Sequence, residues 1–326
     1  MRLLKLVPDN TNIDFMRWRN LALVLSILVT IAAIALVFTR GLNLGVDFIG
    51  GQNVRVTFSQ PPSLDDLRTR VNGLGRGEAS LQEFGSPNVI AIRMPLPEGG
   101  EAAAASAASQ VRAVITARYP DARFDAVETV SGKVSEELFR SGSLAILLSM
   151  IGIAIYIWIR FEWQFGVGAL VTLFHDVWMT LGFFSLTQLE FNLNVIAAIL
   201  TIVGYSLNDT VVIYDRVRES LRKYRKMEIV PLLNLSLNET LSRTMVTSIS
   251  ILLALGALLV LGPDVIFGLT IAIFIGIFVG TYSSIYISSP VLVWLGVTTG
   301  SFLPKDPVSR NVRMGPRNEG NDGARV

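Results

Sequence analysis

The chain has 326 residues, of which 51% are hydrophobic and 17% are charged, and its mean hydropathy is +0.51. The apolar residues form long blocks, which indicates a polytopic α-helical membrane protein rather than a soluble one. The formal net charge is only +2, and the basic residues flank particular apolar blocks, as membrane topology requires and nucleic-acid binding does not. The absence of cysteine excludes disulfides, thiolate metal sites and cysteine nucleophiles, and one histidine excludes a histidine-rich metal site.

The first segment predicts a membrane anchor. Residues 1–20 are short and basic, and residues 21–39 form the first predicted transmembrane helix. Its apolar part, Leu21 to Phe38, exceeds the roughly 7–15 residues of a signal-peptide core, and Arg40 follows instead of a small-residue cleavage site. We therefore predict an uncleaved span that follows a cytoplasmic N-terminus.

Residues 41–141 have the composition of a soluble domain. Alternating apolar residues predict strands, and Ser63 is a suitable helix N-cap. The expected elements are strand Val54–Phe58, helix Ser63–Val71, strands Ala79–Phe84 and Val89–Met94, helix Glu101–Arg118 and strand Ala122–Val130. This β-α-β-β-α-β order predicts a ferredoxin-like α+β domain. The Gly99-Gly100 pair leaves a flexible tether open as an alternative to the second helix.

Residues 142–297 predict five further transmembrane helices, which gives six in total. The apolar runs are Leu144–Ile159, Phe165–Leu186, Leu193–Ile213, Met245–Leu261 and Val265–Ile287. Pro290 to Val297 is too short to span a bilayer and is expected to continue the last helix past a kink.

The loop charges predict the topology. Arg160, a basic cytoplasmic loop at 215–243 and the tail at 298–326 all fall on the side of the N-terminus. The short opposite loops, 188–192 and 262–264, contain no Lys or Arg. The positive-inside rule therefore predicts that both termini are cytoplasmic and that the soluble domain is periplasmic. The composition of the tail predicts disorder.

The fourth span contains the most informative residue, Asp209. It belongs to a polar stripe at helical spacing, which the following span matches with a second stripe. The two stripes are Thr201, Gly204, Tyr205, Asn208 and Asp209, and then Arg243, Thr247 and Ser250. Burial and a nearby guanidinium have opposite effects on the pKa of a carboxylate, so Asp209 beside a movable Arg243 could take up and release a proton. The alternatives are a static pair that orients two helices, and an interfacial Arg243 that extends towards the membrane surface.

Two further spans carry unusual residues. His175-Asp176 in the third span is either a proton relay or a hydrogen-bonding pair that fixes helix packing. In the sixth span small residues recur every four positions and predict close helix packing, with sliding as a minor alternative. These residues are Ala272, Gly276, Gly280, Ser284 and Ser288.

A glycine-rich segment follows the first span, with Gly45, Asp47, Gly50 and Gly51 as its main residues. No lysine follows as in a nucleotide-binding loop. We expect a hinge or junction between membrane and soluble domain, in which Asp47 caps or pairs locally.

Together these motifs resemble the SecF family, the smaller membrane subunits of the bacterial SecD–SecF export complex. The resemblance covers roughly Arg17 to Gly296, and Leu261-Gly262-Pro263-Asp264 departs from the usual family pattern in an outer loop. The matching segments are Gly45–Phe48 with Gly50-Gly51, Phe174–Val177, Val203–Arg216, Arg243-Thr244 with Thr247-Ser248, and Gly280–Ser284.

The resemblance implies half of a resistance-nodulation-division (RND) transporter bundle, completed by six spans of SecD. It implies a non-enzymatic inner-membrane subunit that couples the proton-motive force to late movement of unfolded exported polypeptides. It also implies association with the SecYEG channel, often with YajC and YidC, and no cofactor other than protons. Asp209 and Arg243 fall on the family's proton-transport positions, with Asn208, His175 and Asp176 as further candidates.

Three other functions are weighed against this one. An RND-type small-molecule exporter half would need more soluble material than one modest domain. An intramembrane hydrolase would need paired catalytic residues, and Asp176 and Asp209 lack the glycine-aspartate signature of that chemistry. A passive scaffold predicts that Asp209→Asn leaves activity intact.

Overall fold

The computed structural model describes residues 11–97, 100–125 and 127–298. Within them, six helical segments are long and apolar enough to cross a membrane, which confirms the predicted number. They are Phe15–Thr39, Gly132–Arg160, Trp163–Thr187, Leu193–Lys223, Ile229–Leu261 and Asp264–Trp294. Predictions for residues 1–10 and 299–326, which include most of the basic tail, lie outside the described residues.

The membrane helices are numbered together with the helices of the soluble domain. Helix α1 (Arg19–Thr39) follows a short 3-10 turn (Phe15–Trp18), and α2 (Val46–Ile49) is a single turn. After the soluble domain come α5 (Gly132–Arg160), α6 (Trp163–Thr187), α7 (Leu193–Lys223), α8 (Ile229–Leu261), α9 (Phe267–Tyr286) and α10 (Ser288–Trp294). A 3-10 turn (Asp264–Ile266) precedes α9.

Helix α10 continues the path of α9 beyond a break at Ile287, as the proline predicts. Pro290 falls in the first turn of α10, where the missing N–H has no intrahelical acceptor to lose.

The soluble domain has the predicted β-α-β-β-α-β order. Its elements are β1 (Gly51–Thr57), α3 (Leu64–Asn72), β2 (Ser80–Phe84), β3 (Ser86–Met94), α4 (Gly100–Arg118), β4 (Arg123–Phe124) and β5 (Glu128–Val130). The antiparallel sheet has the order β2-β3-β1-β4, and β5 pairs with the other end of β1, so the predicted last strand is split in two. Helix α4 begins at Gly100, which favours a helix over the tether alternative. The core of the domain places Val56 and Ile92 of the sheet against Leu67 of α3 and Val111 of α4.

The segment 215–243 differs from the irregular basic loop expected for it. Helix α7 continues to Lys223 and α8 begins at Ile229, so only 224–228 connects them. Ion pairs support these extensions: Arg216 contacts Glu219 one turn along and Glu239 on α8. The many charged residues of this segment indicated a loop. Charged residues at i, i+3 and i, i+4 spacing, however, also stabilise a helix that extends beyond the membrane.

Helices α7 and α9 approach closely along the small residues of the sixth span. Gly276 lies against the side chain of Ile202, and a Cβ built on Gly280 would be 3.2 Å from the Cβ of Ser206. Ser284 of α9 shares a hydrogen bond of 3.2 Å with Thr210 of α7. Small residues on α9 permit this approach because the glycines place no side chain of their own between α9 and the side chains of α7.

This contact predicts coupled effects at Gly276 and Ile202. Gly276→Ala adds a Cβ that overlaps three carbons of Ile202, and such overpacking costs about 1–3 kcal/mol. Ile202→Ala removes those carbons, so the double variant is expected to lose less stability than the two single changes added together. Thermal unfolding of the purified protein in detergent measures both effects. Gly152→Ala, which meets nothing within 4 Å, is the matched control, and simple additivity would contradict the contact.

Candidate functional site

Asp209 lies on α7 and is 3% exposed. Its Oδ2 atom has no hydrogen-bond partner among the described residues. Arg243 of α8 is the charged group that acts on the carboxylate, and the Ser248 hydroxyl lies beside it. No ion pair of the described chain joins Asp209 to Arg243, which is exposed. The carboxylate is thus buried without a fixed countercharge.

Hydroxyl groups beside Asp209 join the neighbouring helices to one another. The Tyr205 hydroxyl on α7 and the Ser248 hydroxyl on α8 share a hydrogen bond of 3.2 Å. Thr281 of α9 donates a hydrogen bond of 2.9 Å to the same Ser248 oxygen. A chain of hydroxyls therefore leads away from the carboxylate between α7, α8 and α9.

The two polar stripes are only partly covered within this chain. Tyr205 is half-buried, whereas Asn208, Gly204 and Thr201 face outwards from α7. On α8, Thr247 and Ser250 are exposed and turn their hydroxyls back to backbone carbonyls. Tyr205 of the first stripe thus meets α8 through Ser248, which the second predicted stripe did not include, and the exposed polar groups of both stripes form an outward face.

Asp176 is the centre of a second, fully buried cluster. Its Oδ2 accepts hydrogen bonds from Ser206 of α7 at 2.5 Å and from Ser283 of α9 at 2.9 Å. Its Oδ1 shares a hydrogen bond of 2.9 Å with His175 Nδ1. Thus one carboxylate joins α6, α7 and α9. This geometry supports the packing hypothesis for His175-Asp176, and the relay hypothesis stays a prediction.

Sequence reasoning missed the hydroxyl partners of both acids. Ser206, Ser248 and Ser283 are common in transmembrane helices, and each is recognisable only after α7, α8 and α9 are packed together.

The glycine-rich segment forms a junction between the soluble domain and α7. Gly50 and Gly51 have φ values of +74° and +122°, which L side chains rarely adopt, and a Cβ on Gly51 would be 2.7 Å from the carbonyl oxygen of Met94. Asp47 accepts a hydrogen bond of 2.9 Å from the backbone N–H of Leu193. Asp47 therefore caps a helix, one of the two expected alternatives, but that helix is α7, 146 residues away, and the contact is not local.

Comparisons with known proteins agree with this arrangement. The family described as "Protein export membrane protein SecD/SecF, C-terminal" matches residues 110–298, and the "SecD/SecF GG Motif" matches residues 35–62. A "Protein translocase subunit SecF" from Pseudomonas aeruginosa is 44% identical over 294 residues, or 90% of this chain and 94% of the relative. Its counterpart from Rickettsia rickettsii is 43% identical over 290 residues, or 89% and 94% of the two chains.

Solved structures show the same fold. The crystal structure of SecDF, a translocon-associated membrane protein from Thermus thermophilus, matches with a TM-score of 0.81 and 34% identity over 89% of this chain. A structure of SecDF in a super-membrane-facing form matches with a TM-score of 0.67, also at 34% identity, over 91% of this chain. The chain spans about two fifths of these proteins, 39% and 40% of their lengths.

The two buried acids predict losses of stability of different size on amidation. Asp176→Asn replaces an oxygen that accepts hydrogen bonds, and leaving buried hydroxyl donors unpaired costs about 1–3 kcal/mol. Asp209→Asn alters an oxygen that accepts none, so a smaller loss is expected. Thermal unfolding of both variants in the same detergent measures the difference. Equal losses would show that Asp209 is as firmly bonded as Asp176.

Proposed function

Because the chain belongs to the SecF family of protein export membrane proteins, we propose that it couples the proton-motive force to protein export. It is a multi-pass protein of the bacterial inner membrane. In this proposal it works with SecD to drive late, ATP-independent stages in which unfolded polypeptides cross that membrane. Asp209 carries the coupled proton, and Arg243 controls when the proton binds and leaves.

The incomplete bonding of Asp209 is the observation that carries this proposal. An ionised carboxylate inside a membrane helix is costly unless a countercharge or hydrogen bonds compensate it. The structure leaves Oδ2 without a partner and Arg243 exposed, close enough to act electrostatically but not paired. A small movement of α8 relative to α7 would bring the guanidinium closer or take it away. Each such movement changes the protonation equilibrium of the carboxylate.

The energy available is sufficient for such a role. One elementary charge that crosses the membrane releases roughly 2.3 kcal/mol per 100 mV. A bias of that size shifts a two-state conformational equilibrium by more than tenfold. Binding and release of one proton at Asp209 can therefore select between two arrangements of the helices.

The outward polar face explains why SecD is needed. Asn208 and Thr201 of α7, with Arg243 and Ser250 of α8, would face hydrocarbon if this chain were surrounded by lipid. Polar side chains at that depth face the interior of a bundle or pair with one another. Six spans of SecD, packed on this face, complete the bundle and enclose Asp209. The part of the SecDF proteins that this chain does not match is large enough to supply them.

The proposal includes an orientation and further partners. Both termini are cytoplasmic, because the connections at 160–162 and 224–228 are flanked by Arg and Lys, and the soluble domain is periplasmic. The family resemblance adds the SecYEG channel, YajC and YidC as partners of the complex. Neither an enzymatic reaction nor a cofactor other than protons is required.

The decisive variant is Asp209→Asn, assayed in inverted membrane vesicles that export a model secretory protein. ATP-driven export is held constant, and vesicles with and without a proton gradient are compared. Since the amide cannot release a proton, we expect gradient stimulation to disappear while complex assembly and the ATP-driven step remain.

Asp215→Asn is the matched control, because Asp215 is an exposed acid on the same helix, 3.7 Å from Arg160. It should retain full stimulation. If Asp209→Asn also retains it, the carboxylate is structural and the proton-coupling proposal fails.

A second prediction tests whether SecD covers the outward face. Gly204 meets nothing within 4 Å in this chain, so Gly204→Leu should leave the folding of the isolated subunit unchanged. In the complex the added side chain would meet SecD, and recovery of SecD by affinity purification should fall several-fold. Gly152→Leu, on the apolar face of α5 that suits lipid, should have no effect. Unchanged recovery for Gly204→Leu would place SecD elsewhere.

A further inference from the structure

A buried ion pair joins the soluble domain to the α6–α7 connection. Arg93 of β3 and Glu190 are 7% and 6% exposed, and their side-chain charges are 3.3 Å apart. The Arg93 guanidinium also donates hydrogen bonds of 2.9 Å to Asn43 Oδ1 and to the Leu44 carbonyl, and one of 3.1 Å to Gln82 Oε1. Arg93 therefore holds the sheet, the segment after α1 and the connection before α7 at one point.

The Arg93 guanidinium compensates the charge of the buried Glu190 carboxylate. Burial raises the pKa of the Glu190 carboxyl, and the positive charge of Arg93 is the strongest opposing influence. Its Oε2 atom accepts no hydrogen bond from the described residues, so the ion pair is its compensation there. A Cβ on Gly45 would be 2.7 Å from Oε1, so glycine at this position lets the carboxylate approach the backbone.

Hydrogen bonds also join the rest of the α6–α7 connection to the soluble domain and to the segment after α1. The Gln188 carbonyl accepts from Asn43 Nδ2 at 2.8 Å and from Gln82 Nε2 at 2.6 Å. The Phe191 N–H donates to the Asn43 carbonyl at 2.8 Å, and the Leu193 N–H donates to Asp47 at 2.9 Å. The start of α7 is thus fixed by residues of the soluble domain and of the segment that leads into it.

We propose that Arg93 and Glu190 are positioning residues that make the soluble domain and α7 move as one body. Asp209 lies 16 residues after Leu193 on the same uninterrupted helix, about 24 Å along its axis. A continuous helix transmits axial shifts and rotations because its backbone hydrogen bonds resist bending. A displacement of the soluble domain by a polypeptide therefore shifts Asp209 relative to Arg243 on α8, and protonation of Asp209 moves the domain in return.

This inference rests on the proposed function, but its first test does not. In the full complex with SecD, hydrogen exchange is measured for peptides that cover 188–196. Arg93→Gln leaves Glu190 buried without its partner, and we expect the Phe191 and Leu193 amides to exchange at least tenfold faster. Adding Glu190→Gln removes the stranded charge and should restore part of the protection.

Arg55→Gln is the matched control. Arg55 lies on the neighbouring strand β1, is 6% exposed, and pairs at 2.8 Å with Glu128 inside the same domain. It should change exchange at 188–196 far less than Arg93→Gln does, because Arg55 makes no ion pair with Glu190 and its charge is the weaker influence on that carboxyl. If Arg93→Gln has no effect there, or if Arg55→Gln has the same effect, the proposal is overturned.

The second test asks whether the junction stays closed while the protein works. The chain has no cysteine, so Gln82→Cys and Gln188→Cys can be joined by a short thiol-specific cross-linker in a complex without other cysteines. Movement as one body predicts that cross-linking does not lower the gradient-stimulated export of this double cysteine variant, which lacks the Gln82 hydrogen bonds before and after cross-linking. Arg93→Gln, in contrast, should reduce the stimulation several-fold and spare the ATP-driven step.

Loss of stimulation on cross-linking would mean that the domain must separate from α7, which overturns the proposal. So would full stimulation in Arg93→Gln. If Asp209→Asn retains stimulation, the proton-coupling proposal fails while the exchange result still decides the physical link between domain and helix.

Discussion

The arrangement of this protein depends on the cost of a carboxylate inside hydrocarbon. Asp176 meets that cost with three side-chain partners and fixes α6, α7 and α9 to one another. Asp209 on α7 has hydroxyls nearby, but its Oδ2 atom has no hydrogen-bond partner among the described residues and the Arg243 guanidinium is not paired with it. One acid therefore joins three helices of the bundle, and under the proposed function the other changes its protonation. Both acids act on α7: Asp176 binds its Ser206 beside α9, and Asp209 lies near the exposed Arg243 of α8.

Helix α7 is firmly held on three sides. Small residues of α9 pack against it in the membrane, Asp176 of α6 binds its Ser206, and the junction with the soluble domain fixes its first turn. On the α8 side, Arg216 pairs with Glu239 beyond the membrane-spanning part, whereas beside Asp209 the Arg243 side chain is exposed and is not paired with the carboxylate. A local shift of α8 around Arg243 would therefore alter the surroundings of Asp209 without breaking an ion pair to the carboxylate. The outward polar face lies at this same boundary, where a partner would act most directly.

The sequence predicted features that local patterns encode. Apolar block length predicted six spans, alternation predicted the strands of the soluble domain, and a charge within an apolar run singled out Asp209. It did not predict contacts between distant segments. Arg93 looked like an ordinary strand residue and Glu190 like a loop residue, because their pairing exists only when the sheet docks on the α6–α7 connection. Asp47 was expected to act locally because its partner, the first residue of α7, is 146 residues away in the sequence. The charged ends of α7 and α8 were expected to form a loop because their sequence is polar.

Direct measurement of proton movement tests the central claim, that Asp209 exchanges a proton when the complex works. The purified complex with SecD is reconstituted in liposomes that contain a pH-sensitive dye, and a pH jump is imposed while an unfolded polypeptide substrate is present. The account predicts proton flux in the original complex and none above the protein-free background in Asp209→Asn, with Asp215→Asn unchanged. Equal flux in the original complex and in Asp209→Asn would contradict it.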